Sequence, residues 1–319
     1  MFSWEGKNVA ITGGAGFIGS RLTDKLISSG ANVKIIDSGI IRNSTNFSNR
    51  LSKIQFIQGN LKNQKFIRNA IRGTEVVFDL ASKLGDIEFI NDHPASILSE
   101  NIRILLETIE VAKANADRYF FASSSNVYGI KIPTPHGEDD ADFNQSVSAY
   151  GWSKIIGEEF TKAYYEEYGL KTYVARLFNV YGPQENFKRQ SSVVTKFILN
   201  TLSGKPFVIY GDGKQTRDFI FITDIVDGII KIVESSHFSI PFNLGTGCGV
   251  TINELADLVI RLCQPKIQPK KQYKPAIPNE IKYSVANNQR AKQLLGWAPK
   301  VELKNGLMKA IDWHRSELQ

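Results

Sequence analysis

Residues 8–20 read NVAITGGAGFIGS, a strand-like run that passes directly into a glycine-rich turn. The turn carries three glycines at every third residue: Gly13, Gly16 and Gly19. Glycine adopts positive φ readily and lets other groups approach the backbone, while the start of a helix attracts anions. The stretch therefore predicts a strand, a tight turn and a helix whose first residues, Phe17 and Ile18, face a phosphate group.

The same alternation of short apolar runs and helical patterns continues to about residue 178, which predicts parallel strands joined by crossover helices. The predicted strands are 8–12, 32–37, 54–58, 75–81, 118–124 and 171–178, and the helices between them are 17–29, 62–71, 95–114 and 149–168. Later helices are predicted at 191–203, 223–235, 252–263, 287–295 and 304–316. We predict an α/β protein with a Rossmann-type doubly wound parallel sheet and a smaller, mixed α/β C-terminal domain.

The change of pattern after Asn179 suggests where the domains divide. The stretch RDFIFITDI (217–225) again reads as strand then helix, so the chain is predicted to return to the first domain there. We predict a cofactor domain at 1–180 with a return segment at about 217–245. The substrate domain is then formed by 181–216 and 246–319.

Composition limits the classes of function. The formal charge of +7 is spread along the chain, and its densest basic stretch (266–275) is broken by prolines, so we predict no nucleic-acid partner. Two cysteines, Cys248 and Cys263, are expected to be small buried groups, and the four histidines show no metal-ligand spacing, so no metal is predicted. With neither a signal peptide nor a membrane span in the sequence, we expect a cytoplasmic protein.

The second predicted strand ends in Asp37, 18 residues after Gly19. A carboxylate there accepts hydrogen bonds from ribose hydroxyls and repels a 2′-phosphate, which favours NAD over NADP. An ordinary strand-end aspartate is the alternative, and Arg42 leaves NADP open. Asn60 and its neighbour Leu61 are predicted to lie near the adenine.

A second signature joins FASSSNVYG (121–129) to SAYGWSK (148–154). Tyr150 and Lys154, four residues apart, lie on one face of a helix, where an ammonium is expected to lower the pKa of the phenol and make it a base. Ser124 lies at the carboxyl end of its strand, where ligands bind in such sheets, and its hydroxyl is suited to the substrate oxygen. We expect Ser123 and Ser125 to cap the turn.

Taken in order, TGGAGFIG, SSSNVYG, YGWSK, RLFNVYGP, YGDGKQTRDF and NLGTG resemble the extended short-chain dehydrogenase/reductase superfamily, in its NAD-dependent nucleotide-sugar epimerase/dehydratase branch. The resemblance spans essentially the whole chain. It implies that Tyr150 deprotonates a sugar C4 hydroxyl while NAD takes hydride, and that Lys154 also holds the nicotinamide ribose. It further implies that Asn179 contacts the substrate diphosphate and that Arg217 neutralises it. An interdomain salt bridge is the alternative for Arg217. The helices at 95–114 and 149–168 would form a homodimer interface.

Within this branch, side chains near the sugar ring decide the reaction. Dehydratases carry an Asp-Glu pair where this chain has Ser125 and Asn126, and enzymes of the GDP-fucose synthase type carry Cys and His where it has Asn126 and Ser192. We therefore predict that Asn126 contacts the substrate as an uncharged side chain that exchanges no proton with it. Asp79 replaces a common histidine. With no second acid–base pair, we predict inversion at C4, as in UDP-glucose and UDP-GlcNAc 4-epimerases.

Substrate width is predicted from IKYSVANN, where Ser284 aligns with a gate residue of related epimerases. A serine there leaves room for an N-acetyl group, which favours UDP-GlcNAc/UDP-GalNAc with UDP-glucose/UDP-galactose as a second pair. A loop-capping serine is the alternative. Other hypotheses are a GDP-sugar epimerase or 4-keto reductase of the GDP-fucose synthase/GDP-mannose 3,5-epimerase type, and a non-catalytic NAD- or RNA-binding protein.

Overall fold

The computed structural model describes residues 2–39, 54–85, 87–130, 134–141, 148–185, 192–265, 268–278 and 280–318. The strands in this part are β1 (Asn8–Thr12), β2 (Asn32–Asp37), β3 (Ile54–Gln58), β4 (Val76–Asp79), β5 (Arg118–Ser124), β6 (Lys171–Leu177), β7 (Asn179–Tyr181), β8 (Phe207–Tyr210), β9 (Thr216–Phe221), β10 (Pro241–Leu244), β11 (Gly249–Thr251), β12 (Lys271–Lys274) and β13 (Tyr283–Ser284). The helices are α1 (Phe17–Ser28), α2 (Gln64–Ile71), α3 (Ile87–Asp92), α4 (Pro94–Asn115), α5 (Ala149–Tyr168), α6 (Val193–Leu202), α7 (Ile222–Glu234), α8 (Ile252–Cys263), α9 (Gln289–Leu295) and α10 (Leu303–Leu318).

The large sheet has seven strands in the order β10-β6-β5-β4-β1-β2-β3, and every pair is parallel. Strand order reverses at β1, so a crevice opens at the carboxyl ends of β1 and β4, where ligands bind in this fold. The predicted doubly wound sheet is confirmed. Its seventh strand, β10, was not predicted, because PFNL is short and begins with a proline.

Both faces of the sheet are covered by helices. Val9 and Ile11 of β1 belong to a core shared with α1 and α7, while Ala10, between them, belongs to the opposite core shared with α2 and α4. Side chains of a strand alternate between faces, and parallel strands buried on both faces read as continuous apolar runs.

A four-stranded sheet lies outside the large one, with β9 between β11 and β13 and with β7 also pairing to β9; β8 and β12 form a further pair. The predicted strand-then-helix at 217–225 exists, but β9 joins this small sheet, and the chain re-enters the large one through α7 and β10. The proposed division at residue 180 stays a prediction.

Within the described residues, no helix is long and apolar enough to cross a membrane, and no group of three or more His, Cys, Asp or Glu side chains could hold a metal ion. Cys263 is buried in the core around α8, as expected. Cys248 is exposed, so its predicted burial was wrong; it lies in the loop between β10 and β11 rather than in a strand or helix that packs on the core.

Candidate active site

The glycine turn leads from β1 into α1 as predicted. Gly13 has a φ of +66°, and a Cβ added to Gly19 would stand 2.4 Å from the Gly13 carbonyl oxygen, so the packing of turn against helix requires glycine at both positions. Gly16 is the N-cap of α1 and no side chain caps the helix. The first turn, from Phe17 to Gly19, lines a cavity and offers its N–H groups to an anion there.

These features fit a dinucleotide. The uncapped start of α1 suits a pyrophosphate, and the Asp37 carboxylate holds the turn by accepting the N–H groups of Ala15 at 3.1 Å and Gly39 at 2.8 Å. The side-chain oxygen of Asn60 accepts a hydrogen bond from the Lys62 backbone N–H at 3.0 Å, and Leu61 is buried. Asp37, Asn60 and Leu61 are absent from the described lining of the cavity, and Arg42 lies outside the described residues.

Two adjoining cavities occupy the crevice. The larger, about 1020 Å³, is lined by the glycine turn together with Ser124, Tyr150 and Lys154, and it extends to Asn179 and Arg217. The smaller, about 590 Å³, is lined by four of the predicted substrate residues: Asn126, Asn179, Arg217 and Ser284. The fold therefore brings the predicted catalytic and substrate residues to one continuous crevice.

The predicted catalytic pair, Tyr150 and Lys154, lies near the start of α5. Ser148 caps this helix by accepting the N–H of Gly151 at 2.9 Å, which places Tyr150 in the first turn and Lys154 one turn later. Both side chains are buried, and the Lys154 Nζ lies 5.4 Å from the centroid of the Tyr150 ring and 4.9 Å from that of Phe121. The ammonium thus stands over the ring face rather than beside the hydroxyl.

Burial raises the pKa of Tyr150 to about 12, and hydrogen bonds from Ser124 and then Ser82 oppose that rise. Lys154 has the lower pKa of the two and is neutral at the pH where Tyr150 titrates, so the expected effect of its ammonium on the phenol stays a prediction. Burial also lowers the pKa of Lys154 to about 8, and the charges of Asp79 and then Glu158 resist that fall. The hydroxyls of Ser124 and Ser82 counteract the desolvation of the phenol.

Asp79 is buried at the end of β4. Its carboxylate accepts the Thr12 hydroxyl and the Tyr119 hydroxyl, each at 2.6 Å. Burial raises its pKa, while these two hydrogen bonds and the charge of Lys154 act in the opposite direction. The carboxylate links three neighbouring strands, β1, β4 and β5, and its charge raises the pKa of Lys154 more than the charge of Glu158 does.

Glu158 follows Lys154 by one helical turn and is paired with Arg176 of β6. The guanidinium Nη2 lies 2.7 Å from a Glu158 oxygen, and Ser123 donates its hydroxyl to the same carboxylate at 2.5 Å. The predicted turn-capping role of Ser123 is therefore wrong: its side chain points inward to this pair. Ser124, by contrast, caps the 3-10 turn at 125–128 by accepting the N–H of Asn126 at 3.2 Å.

At the substrate end, Arg217 of β9 and Ser284 of β13 are partners in the parallel register of the small sheet. The Arg217 Nη2 lies 2.9 Å from the carboxylate of Glu280, and both side chains are largely buried. The alternative of a salt bridge for Arg217 is thus present, with its guanidinium still lining both cavities. The Asn179 side chain donates to the Asp218 carbonyl at 3.3 Å.

Sequence reasoning missed three contributors to this site: Ser82, Glu158 and Glu280. The i,i+4 spacing of Lys154 and Glu158 on a predicted helix was a usable signal. Ser82 and Glu280 lie in loops that line the crevice, and no local sequence motif predicts their position there.

Comparison with known proteins identifies the family. The profile of the NAD dependent epimerase/dehydratase family matches residues 9–245. UDP-glucuronic acid decarboxylase 1 of Arabidopsis thaliana is 29% identical over 313 residues, which cover 97% of this chain and 70% of that protein. A putative UDP-glucose 4-epimerase of Methanocaldococcus jannaschii is 29% identical over 311 residues, covering 97% of this chain and 98% of that one.

Solved structures agree with that assignment. UDP-glucose 4-epimerase of Thermotoga maritima with UDP-glucose superposes with a TM-score of 0.90 at 30% identity, covering 98% of this chain and 100% of that one. UDP-N-acetylglucosamine 4-epimerase of Methanobrevibacter ruminantium with UDP-N-acetylmuramic acid gives 0.88 at 30%, covering 98% and 99%. A Thermus thermophilus UDP-glucose 4-epimerase complexed with NAD gives 0.87 at 26%, covering 97% and 99%. The resemblance drawn from the sequence and the NAD cofactor are confirmed, and the chain is an enzyme that belongs to the NAD-dependent epimerase/dehydratase family.

Proposed function

We propose that this enzyme is a nucleotide-sugar 4-epimerase that acts on UDP-sugars through a 4-keto intermediate. The observation that carries the proposal lies beside Ser124: Ser125 and Asn126 line the smaller cavity and neither side chain titrates. Inversion at C4 needs one base on one hydroxyl, which Tyr150 provides. Dehydration or inversion at C3 and C5 needs a further acid and base at the ring.

The proton path uses groups that the fold already places together. As phenolate, Tyr150 accepts the proton of the C4 hydroxyl, while Ser124 hydrogen-bonds the same sugar oxygen. Bound NAD supplies the reversible hydride transfer between the C4 alcohol and ketone. The pKa of Lys154 is about 8, so near neutral pH most of this amine is protonated and carries positive charge. The crevice, about 1020 Å³ in its larger part, gives the ketone room to turn before Tyr150 returns the proton.

The diphosphate is assigned to Arg217 and Asn179. A guanidinium has five N–H donors in a planar fork that matches phosphate oxygens. In the described contacts, Arg217 directs Nη1 to the Thr216 carbonyl at 3.0 Å and Nη2 to Glu280 at 2.9 Å, so donors remain for a ligand. Both Arg217 and Asn179 line the larger and the smaller cavity, which suits a group that connects sugar and nucleoside.

For the sugar, we propose UDP-GlcNAc/UDP-GalNAc, with UDP-glucose/UDP-galactose as a second pair. Ser284 is 4% exposed and borders the smaller cavity, where a short side chain leaves space for an N-acetyl group. Ser284→Tyr should then reduce kcat/KM for UDP-GlcNAc at least tenfold more than that for UDP-glucose. Ser284→Ala, which keeps the space, is the matched control. Equal losses on both sugars would remove Ser284 from sugar selection.

Decarboxylation of UDP-glucuronate is the second candidate, because a UDP-glucuronic acid decarboxylase is among the similar curated proteins. That reaction needs a cation for the uronate carboxylate and an acid that protonates C5 after CO2 leaves. Among the described residues that line the smaller cavity, Arg217 is the one cation, and it is paired with Glu280. A neutral C6 hydroxymethyl group suits this lining better than a carboxylate does.

One experiment separates these reactions. NAD-loaded protein is incubated with UDP-GlcNAc, UDP-glucose, UDP-glucuronate and a GDP-hexose, and the sugars are followed by NMR with and without added NADH. We expect UDP-GlcNAc and UDP-GalNAc to interconvert without NADH. Formation of a UDP-pentose with CO2 would favour the decarboxylase, and an unchanged panel would reject both. Tyr150→Phe should lower turnover by about a thousandfold, within the range for loss of a general base.

We further propose a homodimer through α4 and α5. The two helices pack against each other on one face of the large sheet, and α5 exposes three aromatic side chains: Trp152, Tyr165 and Tyr168. Sedimentation velocity should give twice the chain mass, and a monomer at all concentrations would contradict this.

A further inference from the structure

The loop after β4 places a second serine next to the catalytic tyrosine. Ser82 lines the larger cavity together with Ser124, Tyr150 and Lys154, and its hydrogen bond acts on Tyr150. Nothing in the family assignment gives this serine a role, and the reaction as proposed uses Ser124 alone. What Ser82 does depends on where its single hydroxyl proton points.

Asn101 of α4 answers that question. Its side-chain oxygen accepts the Lys83 backbone N–H at 2.6 Å, and its side-chain nitrogen donates to the Lys83 carbonyl at 3.1 Å. A backbone N–H can only donate and a carbonyl can only accept, so this double contact fixes the orientation of the amide. The oxygen thus lies 3.2 Å from the Ser82 hydroxyl, which must be the donor between them.

The Ser82 oxygen therefore has its lone pairs available to Tyr150 while the phenol is neutral. When Tyr150 loses its proton, the Ser82 hydroxyl can rotate and donate to the phenolate. This rotation leaves no unsatisfied group behind, because the Asn101 oxygen keeps the shorter bond from Lys83. The same hydroxyl can serve both protonation states of the base.

The loop after β4, which carries Ser82 and Lys83, is fixed by contacts on both of its sides. The Lys83 ammonium pairs with Glu100 at 2.5 Å and contacts Ser96 at 3.3 Å. On the inner side, Asn101 also donates to the Ser153 hydroxyl at 3.3 Å, and Ser153 donates in turn to the Tyr150 carbonyl at 2.7 Å. Asn101 thus ties the loop to the same turn of α5 that carries the base.

We infer that Ser82 is a second hydrogen-bond donor to the phenolate oxygen of Tyr150, acting beside Ser124, and that Asn101 is the positioning residue that aims it. The inference rests on the proposed role of Tyr150 as the base. Charged groups around the tyrosine are Lys154 over its ring and Asp79 beneath the crevice, while on the outer side Glu100 is shared by Lys83 and Lys62. Ser82 thus adds a hydroxyl donor for Tyr150 to the charged side chains that already surround it.

The test measures ionisation of Tyr150 without substrate. Tyrosinate absorbance of NAD-loaded protein is titrated from pH 8 to 12, a range that reaches the raised pKa of Tyr150, and the Tyr150→Phe curve is subtracted to remove the other tyrosines. The same subtraction is made in the Ser82→Ala background. Loss of one hydrogen bond to a charged group should raise the pKa of Tyr150 by about one unit. An unchanged titration in Ser82→Ala, with a shift in Ser124→Ala, would overturn the inference.

Two controls separate this role from a structural one. Ser96→Ala removes a hydroxyl that contacts the same loop but not Tyr150, and it should leave the titration unchanged. Ser82→Thr keeps the hydroxyl and should restore the wild-type pKa; failure to do so would argue against a hydrogen bond. Asn101→Ala should raise the pKa by less than Ser82→Ala does, because Ser82 remains but is no longer aimed.

Turnover gives an independent readout. In Ser82→Ala, the acid limb of the kcat/KM profile should move up by the same unit, so that the loss is about tenfold at every pH well below the pKa of Tyr150. Unchanged turnover in Ser82→Ala at pH 7, or an equal loss in Ser96→Ala, would overturn the inference. If Tyr150 shifts as expected but no sugar in the panel reacts, the proposed reaction fails while the role of Ser82 stands.

Discussion

Removing one member of the buried Arg176–Glu158 pair should destabilise the fold strongly, and removing both should not cost twice as much. Their side chains are 3% and 8% exposed, and the closest N–O distance is 2.7 Å. At an effective dielectric constant of 20, that separation corresponds to an attraction of about 6 kcal/mol, offset by the desolvation of both groups. A single replacement leaves the other charge buried without its counter-charge, which costs about 3–5 kcal/mol.

The variants are Glu158→Gln, Arg176→Met and the double replacement. In Glu158→Gln, the guanidinium keeps its bonds to the Tyr128 hydroxyl at 3.0 Å and the Glu138 carbonyl at 2.7 Å but loses its counter-charge. In the double variant no charge is stranded. The free energies of unfolding should therefore be non-additive, with the double variant at least about 2 kcal/mol more stable than the sum of single losses predicts.

Urea unfolding at pH 7, followed by circular dichroism and by tryptophan fluorescence, measures these values. Coincident transitions for the two probes establish that a single free energy applies. Additive losses, or single losses below about 1 kcal/mol, would refute the view that this pair is electrostatically isolated from water. Glu158→Gln carries a second readout: since Glu158 supports the charge of Lys154, the pKa of that lysine should fall further below its usual value.

Three further predictions concern the cofactor turn and the core. Gly19→Ala should abolish NAD binding in calorimetry, because the added Cβ would lie 2.4 Å from the Gly13 oxygen. Gly16→Ala, whose Cβ has its nearest contact at 3.1 Å, should retain weakened binding. Equal losses in the two variants would contradict the steric argument. Asp37→Ala should reduce the preference for NAD over NADP by about tenfold in the same titration, since a repulsion of about 1.4 kcal/mol is lost; an unchanged preference would assign Asp37 to the turn alone. Burial lowers the pKa of His314 from 6.5 to about 4, so as pH falls through this window the unfolded chain takes up the proton first and stability decreases, by up to about 3 kcal/mol. His314→Phe should flatten that decrease in urea unfolding at pH 4 to 7, and an equal decrease in both proteins would reject it.

Elements with local signals were predictable from the sequence. The turn between β1 and α1 was recognised from its glycines, at positions where a side chain would clash with the backbone. Helix α5 was placed correctly: it begins after the Ser148 cap and ends at Gly169, which adopts the left-handed conformation. The Tyr150 and Lys154 pair followed from spacing on that helix. Each of these features is decided by residues within a few positions of one another.

Features that depend on distant contacts were not predictable in this way. β10 pairs with β6 across more than sixty residues, and its short sequence carries no alternation. The hydrogen bond from Ser82, which opposes the effect of burial on the pKa of Tyr150, depends on how the loop after β4 approaches α5. Such geometry is set by tertiary packing rather than by propensity.

The late arrival of β10 has a consequence for biosynthesis. On the ribosome, β6 is made by residue 177 but remains an open edge until Pro241–Leu244 has emerged, and open parallel edges invite pairing with other chains. Asn243 on that strand also binds the carbonyls of His136 and Asn287, so it joins three parts of the chain far apart in sequence. A fragment ending at residue 180 would contain every glycine of the NAD turn yet lack the strand that closes its sheet, and should aggregate rather than fold alone.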